Sequence, residues 1–341
     1  MALPFVRNPG DTGDIVARSL AGFVSANADI VELNTDPVFV RALHRSPARR
    51  VGLVSGGGSG HEPMHAGLVG RGILDAAVPG AVFASPHNRQ VYRASQAAAG
   101  PGGVLHIVKN YTGDRINFGI AAERLAGDGI PVARVLVDDD LATDDADART
   151  GRRGTGATII VEKLLGAAAD EGLGLPELAE LGGRMVAHSR SIAVAASAQT
   201  AFGTGRAAFD IPPEELEYGV GIHGERASRT VPRPGLDSLI EQMVGEVVDG
   251  CPPGRQVLVL LNGLGGTTSL ELHHVYAGVV EALQGRDRRI AGSLVGTYTP
   301  ALDMHGFSVT VTVADDPDWR RWWRAPAWTA AIRTQGEPTS C

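Results

Sequence analysis

The chain is poor in the groups that would place it in several large classes of protein. Only two of its 341 residues are cysteines, Cys251 before a Pro-Pro turn and Cys341, so neither a disulfide framework nor a thiolate metal cluster is indicated, and a reducing cytoplasm is the default compartment. Basic residues are fewer than acidic ones, and the formal net charge of −7 argues against a nucleic-acid groove or an anionic membrane surface. Small molecules and proteins remain as partners. No run of apolar residues is long enough to cross a bilayer, and the start, MALPFVRNPGDTGD, lacks the basic and then apolar halves of a signal peptide. A soluble chain is expected. No Gly-Lys-Ser/Thr ending occurs, which removes the usual P-loop cradle for a nucleoside triphosphate. Aromatic residues are scarce while glycine and alanine are abundant, the composition of an α/β protein with small residues where layers meet. The length exceeds one ordinary core and predicts two domains.

What is present is organised around Val51 to His65, VGLVSGGGSGHEPMH. Val51 to Val54 reads as a buried parallel strand. Ser55 to Gly60 reads as a loop with almost no side chains, closed by His61. The apolar spacing of Met64, Leu68, Val69 and Ile73 predicts a helix behind it. Such a loop admits a ligand close to the backbone, and a helix N-terminus offers N–H groups to oxygen atoms. A dinucleotide fingerprint needs its third glycine where His61 stands; Asp75 has a plausible spacing for a ribose carboxylate but sits at the end of the expected helix. The bland alternative is a tight turn that packs helix on strand.

Around this stretch strand and helix take turns. The opening residues 11–32 read as helix, then come a strand at Ala76–Phe83, a helix at Asn88–Ala99, a strand at Gly103–Val108, a helix at Asp114–Ala126 and a strand at Pro131–Val137. The pattern predicts a mostly parallel sheet sandwiched by helices in an N-terminal domain, residues 1–188, with ligands beyond the carboxyl ends of the strands. Ser85 and Pro86, the run Lys109 to Asp114, and Asp138 to Asp140 all stand at such ends. For Lys109 and Asp114 the bland alternative is a surface ion pair. The acidic and then basic segment Asp138 to Arg153 reads as a solvated loop, and no metal site is assigned to its carboxylates, because consecutive side chains seldom aim at one point. Helices are expected at Ala157–Glu171 and Pro176–Thr200, the second long enough to link domains. A smaller mixed α/β domain, residues 189–335, then offers strands at Tyr218–Ile222, Gln256–Leu261, Ile290–Val295 and Phe307–Val313 and helices at Leu236–Val248 and Ser269–Leu283. Trp319, Trp322, Trp323 and Trp328 read as core or interface anchors, and residues 1–10 and 334–341 as disordered.

Four motifs in order, the glycine stretch with His61, VKNYTGD at 108–114, GIHGE at 221–225 and NGLGGT at 262–267, together with VDDD, RGTGAT and LDMHGFSVT, resemble the DhaK family, the dihydroxyacetone-binding subunits of dihydroxyacetone kinase. The resemblance spans nearly the whole chain and implies a DhaK-like fold of two α/β domains. It implies that His223 adds through a ring nitrogen to the substrate ketone as a hemiaminal, that His61 is the acid/base group at the hydroxyl that receives phosphate, and that Asp114 is its carboxylate partner. It also implies that Gly58, Ser59, Ser85 and Lys109 line the substrate pocket. The chemistry suits the residues: a neutral imidazole is a usable nucleophile near neutral pH, and addition to a carbonyl is open to a short ketose but closed to glycerol.

The resemblance also implies that this chain is the substrate half only, a phosphotransferase subunit with no nucleotide cofactor of its own. ADP or ATP with Mg2+ is expected on a separate DhaL-type subunit that supplies the phosphate. A homodimer is expected as well. After GIHGE the family commonly continues Pro-Gly, where this chain has Arg226-Ala227-Ser228, and Thr299-Pro300-Ala301 precedes LDM where Thr-Ser is usual. These departures leave erythrulose or another short ketose open as substrate beside dihydroxyacetone. A non-catalytic ketose sensor is the alternative of a different class.

Overall fold

The computed structural model describes residues 12–144, 151–225, 227 and 229–335. The chain begins with α1 (Thr12–Ala26), β1 (Val31–Thr35), β2 (Val38–Ala42), β3 (Gly52–Ser59), β4 (Gly70–Arg71), β5 (Ala76–Val82), α2 (Asn88–Ala98), β6 (Val104–Lys109), α3 (Thr112–Gly127) and β7 (Val132–Val137). It continues through α4 (Ala157–Asp170) and α5 (Leu175–Ala187) to β8 (Ser189–Ser197), β9 (Glu215–Tyr218), β10 (Arg229–Pro232), α6 (Leu236–Gly250), β11 (Gln256–Gly263), α7 (Ser269–Gly285), β12 (Arg289–Gly296) and β13 (His305–Val313). It closes with α8 (Pro317–Arg324), β14 (Ala327–Thr329) and β15 (Arg333–Thr334). Two compact units result. The first holds 12–137, 161–184 and the described part of 318–341; the second holds 138–160 and 185–317. The expected boundary at 188/189 thus lies close to one of several places where the chain changes unit, and residues 138–160 and the tail fall on the other side of it.

Each unit is an α/β structure built on a six-stranded sheet. In the first the order is β1-β2-β5-β3-β6-β7, with β5, β3, β6 and β7 parallel and the β1–β2 hairpin antiparallel at one edge. The apolar residues of α2 and α3, among them Val91, Ala94, Phe118 and Ala121, close over Phe39, Val54, Val78 and Val108 of the sheet. In the second the order is β10-β9-β8-β13-β11-β12, parallel only between β11 and β12. There Met243 and Val247 of α6 and Val275 and Val279 of α7 pack on Ile192, Val194, Val259, Leu261 and Val309. A small sheet, β15-β14-β4, completes the first unit.

The glycine stretch departs from its expected form. Residues 52–59 are one central strand, buried throughout and paired on both sides, and the helix expected over Met64 to Ile73 is absent: turns, a single 3-10 turn at Ala66–Leu68 and β4 take its place. The reason is steric. A Cβ at Gly56 would stand 2.5 Å from the carbonyl oxygen of Val78, and one at Gly58 2.7 Å from the amide nitrogen of Ala84, so the strand is glycine-rich because its neighbours press on it. The periodic apolar residues Met64, Leu68, Val69 and Ile73 are buried as expected, but from turns.

Other boundaries also move. The first helix ends at Ala26 and β1 begins at Val31. The helix expected over 176–200 ends at Ala187, because Ser189–Ser197 pairs with β13 in the register Ser191 to Thr310 and Val194 to Phe307. Its alanines favour a helix locally, but Ile192 and Val194 gain a core only as strand residues. The strand expected over Tyr218–Ile222 is instead Glu215–Tyr218. Of the tryptophans, Trp319 and Trp322 of α8 are buried, whereas Trp328 is exposed under the guanidinium of Arg333. Thr334 lies in β15; residues 1–10 and 336–341 lie outside the described residues.

These contacts make the glycines unequal. Gly56→Ala is expected to cost about 1–3 kcal/mol by overpacking, whereas Gly22→Ala, in α1 with open space around it, should be neutral or stabilising by up to about 1 kcal/mol. Urea denaturation of the two variants measures both.

Candidate active site

The chain contains two lysines, Lys109 and Lys163, and both are buried. Lys163 donates to the carbonyls of Trp322 and Ala325, 2.9 and 3.0 Å away, and so holds the end of α8; burial lowers its pKa to about 8. Lys109 has a different setting. It ends β6, and its ammonium reaches back into the space above Gly57, where a Cβ would collide with Nζ. There Nζ lies 2.7 Å from His65 Nε2, 3.3 Å from the carbonyl of Gly56 and 4.0 Å from Asp114 Oδ2. Burial pushes the lysine below its ordinary pKa, against the pull of Asp114 and Glu162. The pair Lys109–Asp114 is therefore no surface ion pair.

Asp114 stands in the first turn of α3, where backbone N–H groups favour an anion, and its Oδ1 is buried without a hydrogen-bond partner among the described residues. Ser85 reaches the same turn: a Cβ on Gly113 would lie 2.5 Å from its Oγ. His61 is buried just after Gly60, whose φ of +102° suits glycine, and its ring stacks on Phe83 with centroids 5.2 Å apart. Gly58 sits against the backbone of Phe83 and Ala84. Ser59 donates to the carbonyl of Gly80 at 2.7 Å, so its hydroxyl proton serves the sheet. The first unit thus gathers Ser85 with Asp114 and Lys109, and the glycine strand with His61.

Two members of this cluster escaped the sequence reading. His65 Nδ1 lies 2.6 Å from Glu162 Oε1 and 3.0 Å from Ser55 Oγ, which itself donates to the carbonyl of Ile107. Burial, then the charge of Lys109, holds His65 well below the ordinary imidazole pKa, and burial raises Glu162 to about 8 although Ser55 and Lys109 oppose it. His65 is therefore neutral and the contact is a hydrogen bond rather than an ion pair. One signal was available: Glu162 and Lys163 are the charged residues in the otherwise apolar run ATIIVEKLLGAAA.

In the second unit His223 lies in the turn after β9, partly buried. Glu225 accepts from its backbone N–H at 3.0 Å and faces its Nδ1 at 3.3 Å. Burial would raise the Glu225 carboxyl, but His223 and the Arg153 guanidinium hold it down at about 2. Arg153 also donates to Asp140 at 2.8 Å and to the carbonyl of Gly219 at 3.0 Å. The segment expected to be a solvated loop is accordingly built in at its start. Asp139 accepts from Thr155 and Ala157 N–H and from the Ser191 and Thr155 hydroxyls, Asp140 is buried and pushed to about 6 by that burial, and Asp138 faces Arg152. Residues 145–150 lie outside the described residues. NGLGGT and LDMHG interlock: Leu264 and Gly266 donate to the carbonyls of Gly306 and Met304, and Asn262 clamps the turn at Tyr298 and Thr299. Thr299 and Ala301, at one departure from the family pattern, are buried in that turn; Arg226 and Ser228, at the other, lie outside the described residues.

The depressed value at Glu225 has a sign. Its contribution to stability is complete above the ordinary carboxyl pKa of about 4.3 and is lost as pH falls toward its folded value. Glu225→Gln should therefore flatten the loss of unfolding free energy between about pH 4.5 and 2, read by urea denaturation across that range.

The Dak1 domain model matches residues 21–331. The dihydroxyacetone-binding subunit DhaK of the PTS-dependent dihydroxyacetone kinase 1 of Listeria innocua is 40% identical, over 94% of this chain and 98% of that protein. Among solved structures, the dihydroxyacetone kinase of C. freundii superposes with a TM-score of 0.89 at 32% identity, covering all of this chain and 62% of that one. A dihydroxyacetone kinase operon co-activator superposes with a TM-score of 0.87 at 28% identity, over 93% of this chain and 98% of that one.

Proposed function

The chain belongs to the Dak1 domain family, and from that premise we propose that it is the dihydroxyacetone-binding subunit of a dihydroxyacetone kinase. In this reading it holds the ketose covalently and presents a terminal hydroxyl to a separate DhaL-type subunit, which carries ADP or ATP with Mg2+ and delivers the phosphate. The observation that carries the proposal is the set of charged and titratable groups at the ends of the family motifs: Lys109 and Asp114 buried together, and His223 backed by Glu225.

The second unit supplies the capture. With Glu225 ionised, Nδ1 of His223 is the protonated ring nitrogen, which leaves Nε2 as the nucleophile. Its lone pair forms the C–N bond as the carbonyl π pair moves onto oxygen, which takes up a proton from solvent water, and the Glu225 carboxylate offsets the positive charge left on the substituted ring. Glycerol has no carbonyl and cannot be captured. The first unit supplies the proton chemistry. Asp114 presents a buried acceptor oxygen, and His61, fixed against Phe83, is the acid/base group at the hydroxyl that attacks phosphorus. Lys109, Ser85 and the backbone at Gly58 and Ser59 orient the ketose. Erythrulose fits the same chemistry, since it too joins a ketone to a neighbouring terminal hydroxyl. The likeness to a co-activator favours a second reading, a ketose sensor that forms the adduct without turnover.

His223→Ala should lose the adduct, seen in a crystal soaked with dihydroxyacetone. His61→Ala should keep it while turnover, with a supplied DhaL-type subunit and phosphate donor, falls roughly a hundred- to ten-thousand-fold. Wild-type turnover in His61→Ala would overturn the role given to that residue, and adduct without any wild-type turnover would establish the sensor. Parallel assays with erythrulose decide the substrate.

A further inference from the structure

Lys109, His65 and Glu162 form a continuous buried line: Nζ to Nε2 at 2.7 Å, then Nδ1 to Oε1 at 2.6 Å across the imidazole. The groups facing it are few. Asp114 of α3 stands 4.0 Å from the ammonium, the Ser55 hydroxyl of β3 flanks Nδ1, and the carbonyl of Gly56 faces Nζ. The line ends at Glu162, whose second oxygen is buried without a hydrogen-bond partner among the described residues. An unpaired carboxylate oxygen is costly there and a neutral carboxyl much less so. The far end of the line is thus built to accept a proton.

We propose that His65 and Glu162 act as positioning residues for the reaction, a proton relay behind Lys109 that sets the charge Asp114 faces. In one state Lys109 is an ammonium donating to Nε2, His65 carries its proton on Nδ1, and Glu162 is ionised. In the other, an N–H bond of Lys109 has broken and its proton has passed to Nε2, while the Nδ1 proton has passed to Glu162. Lysine is then an amine, glutamate an acid and histidine the opposite neutral tautomer, and the net charge is unchanged. A carboxylate beside an ammonium is a weak base, and beside an amine a stronger one. The first state suits Asp114 to hold a ligand hydroxyl and the second to share its proton. Burial lowers the proton affinity of Lys109 and raises that of Glu162, so the two ends approach one another in strength. The relay deepens the kinase reading above and rests on the part given there to Asp114.

The test uses the full chain with a supplied DhaL-type subunit and phosphate donor. His65→Gln keeps an acceptor for Lys109 and a donor for Glu162 but cannot pass a proton. Glu162→Gln keeps the hydrogen bond and removes the terminal acceptor. Each variant should form the dihydroxyacetone adduct as the wild type does. Each should lose turnover about tenfold or more, and the acid limb of kcat should move, because the proton on Lys109 can then no longer be passed along the line. Wild-type turnover and an unmoved limb in both would overturn the relay and leave the kinase reading standing. Normal turnover in His61→Ala would strike the role given to His61 without touching the charge line, whereas adduct without any wild-type turnover would strike the kinase reading itself. If neither variant folds, isotope-edited infrared of the wild type with labelled glutamate decides. A carbonyl band of a buried neutral carboxyl that appears, vanishes or shifts on ketose addition supports the relay, and a spectrum in that region unchanged by ketose overturns it.

Discussion

The ammonium of Lys109, set inside the first unit where Gly57 has no side chain, is the constraint on which much of that unit depends. A buried cation needs compensating partners, and each partner here fixes an element. The carbonyl of Gly56 comes from β3, Asp114 from the first turn of α3, His65 from the turns that follow the glycine strand, and Glu162 from α4. The glycines are therefore less a flexible cradle than a thin wall, shaped by Val78 and Ala84 on one strand edge and by the lysine head within. Removing water from these charges also makes their mutual influence strong enough to matter for chemistry.

The second unit solves a related problem with carboxylates. Asp139 gathers the start of α4 and the strand β8 around one side chain, and Asp140 anchors Arg153, whose guanidinium also reaches the carbonyl of Gly219 and acts on Glu225. The path from Asp140 to His223 thus runs through the Asp140–Arg153 ion pair and the charge of Arg153 on Glu225, and ends on an imidazole nitrogen. Its purpose in the proposed reaction is to settle which nitrogen carries the proton before substrate arrives.

Much of this was legible in the sequence, and the failures have identifiable causes. The strands at Ala76, Val104, Val132, Gln256 and His305 and the helices at Asn88, Thr112, Leu236 and Ser269 follow from apolar periodicity, which is a local property. The glycine strand and β8 were misread because their form is imposed from outside: Val78 and Ala84 press on the first, and pairing with β13 overrides the alanines of the second. Lys109 and Asp114 were legible as a strand-end pair, but their burial was not. His65 and Glu162 are 97 positions apart, and nothing in either neighbourhood points to the other. The aspartates at 138–140 read as solvated because composition says nothing of the hydroxyls and the guanidinium that meet them.

The burial of both lysines has a practical side. Among the described residues, no primary amine of a side chain is presented to solvent, so acylating reagents, amine-coupled dyes and reductive alkylation find no lysine on the folded surface. A tag that lands on Lys163 marks a molecule in which the end of α8 had been released. The protein thus carries its own clock for local unfolding.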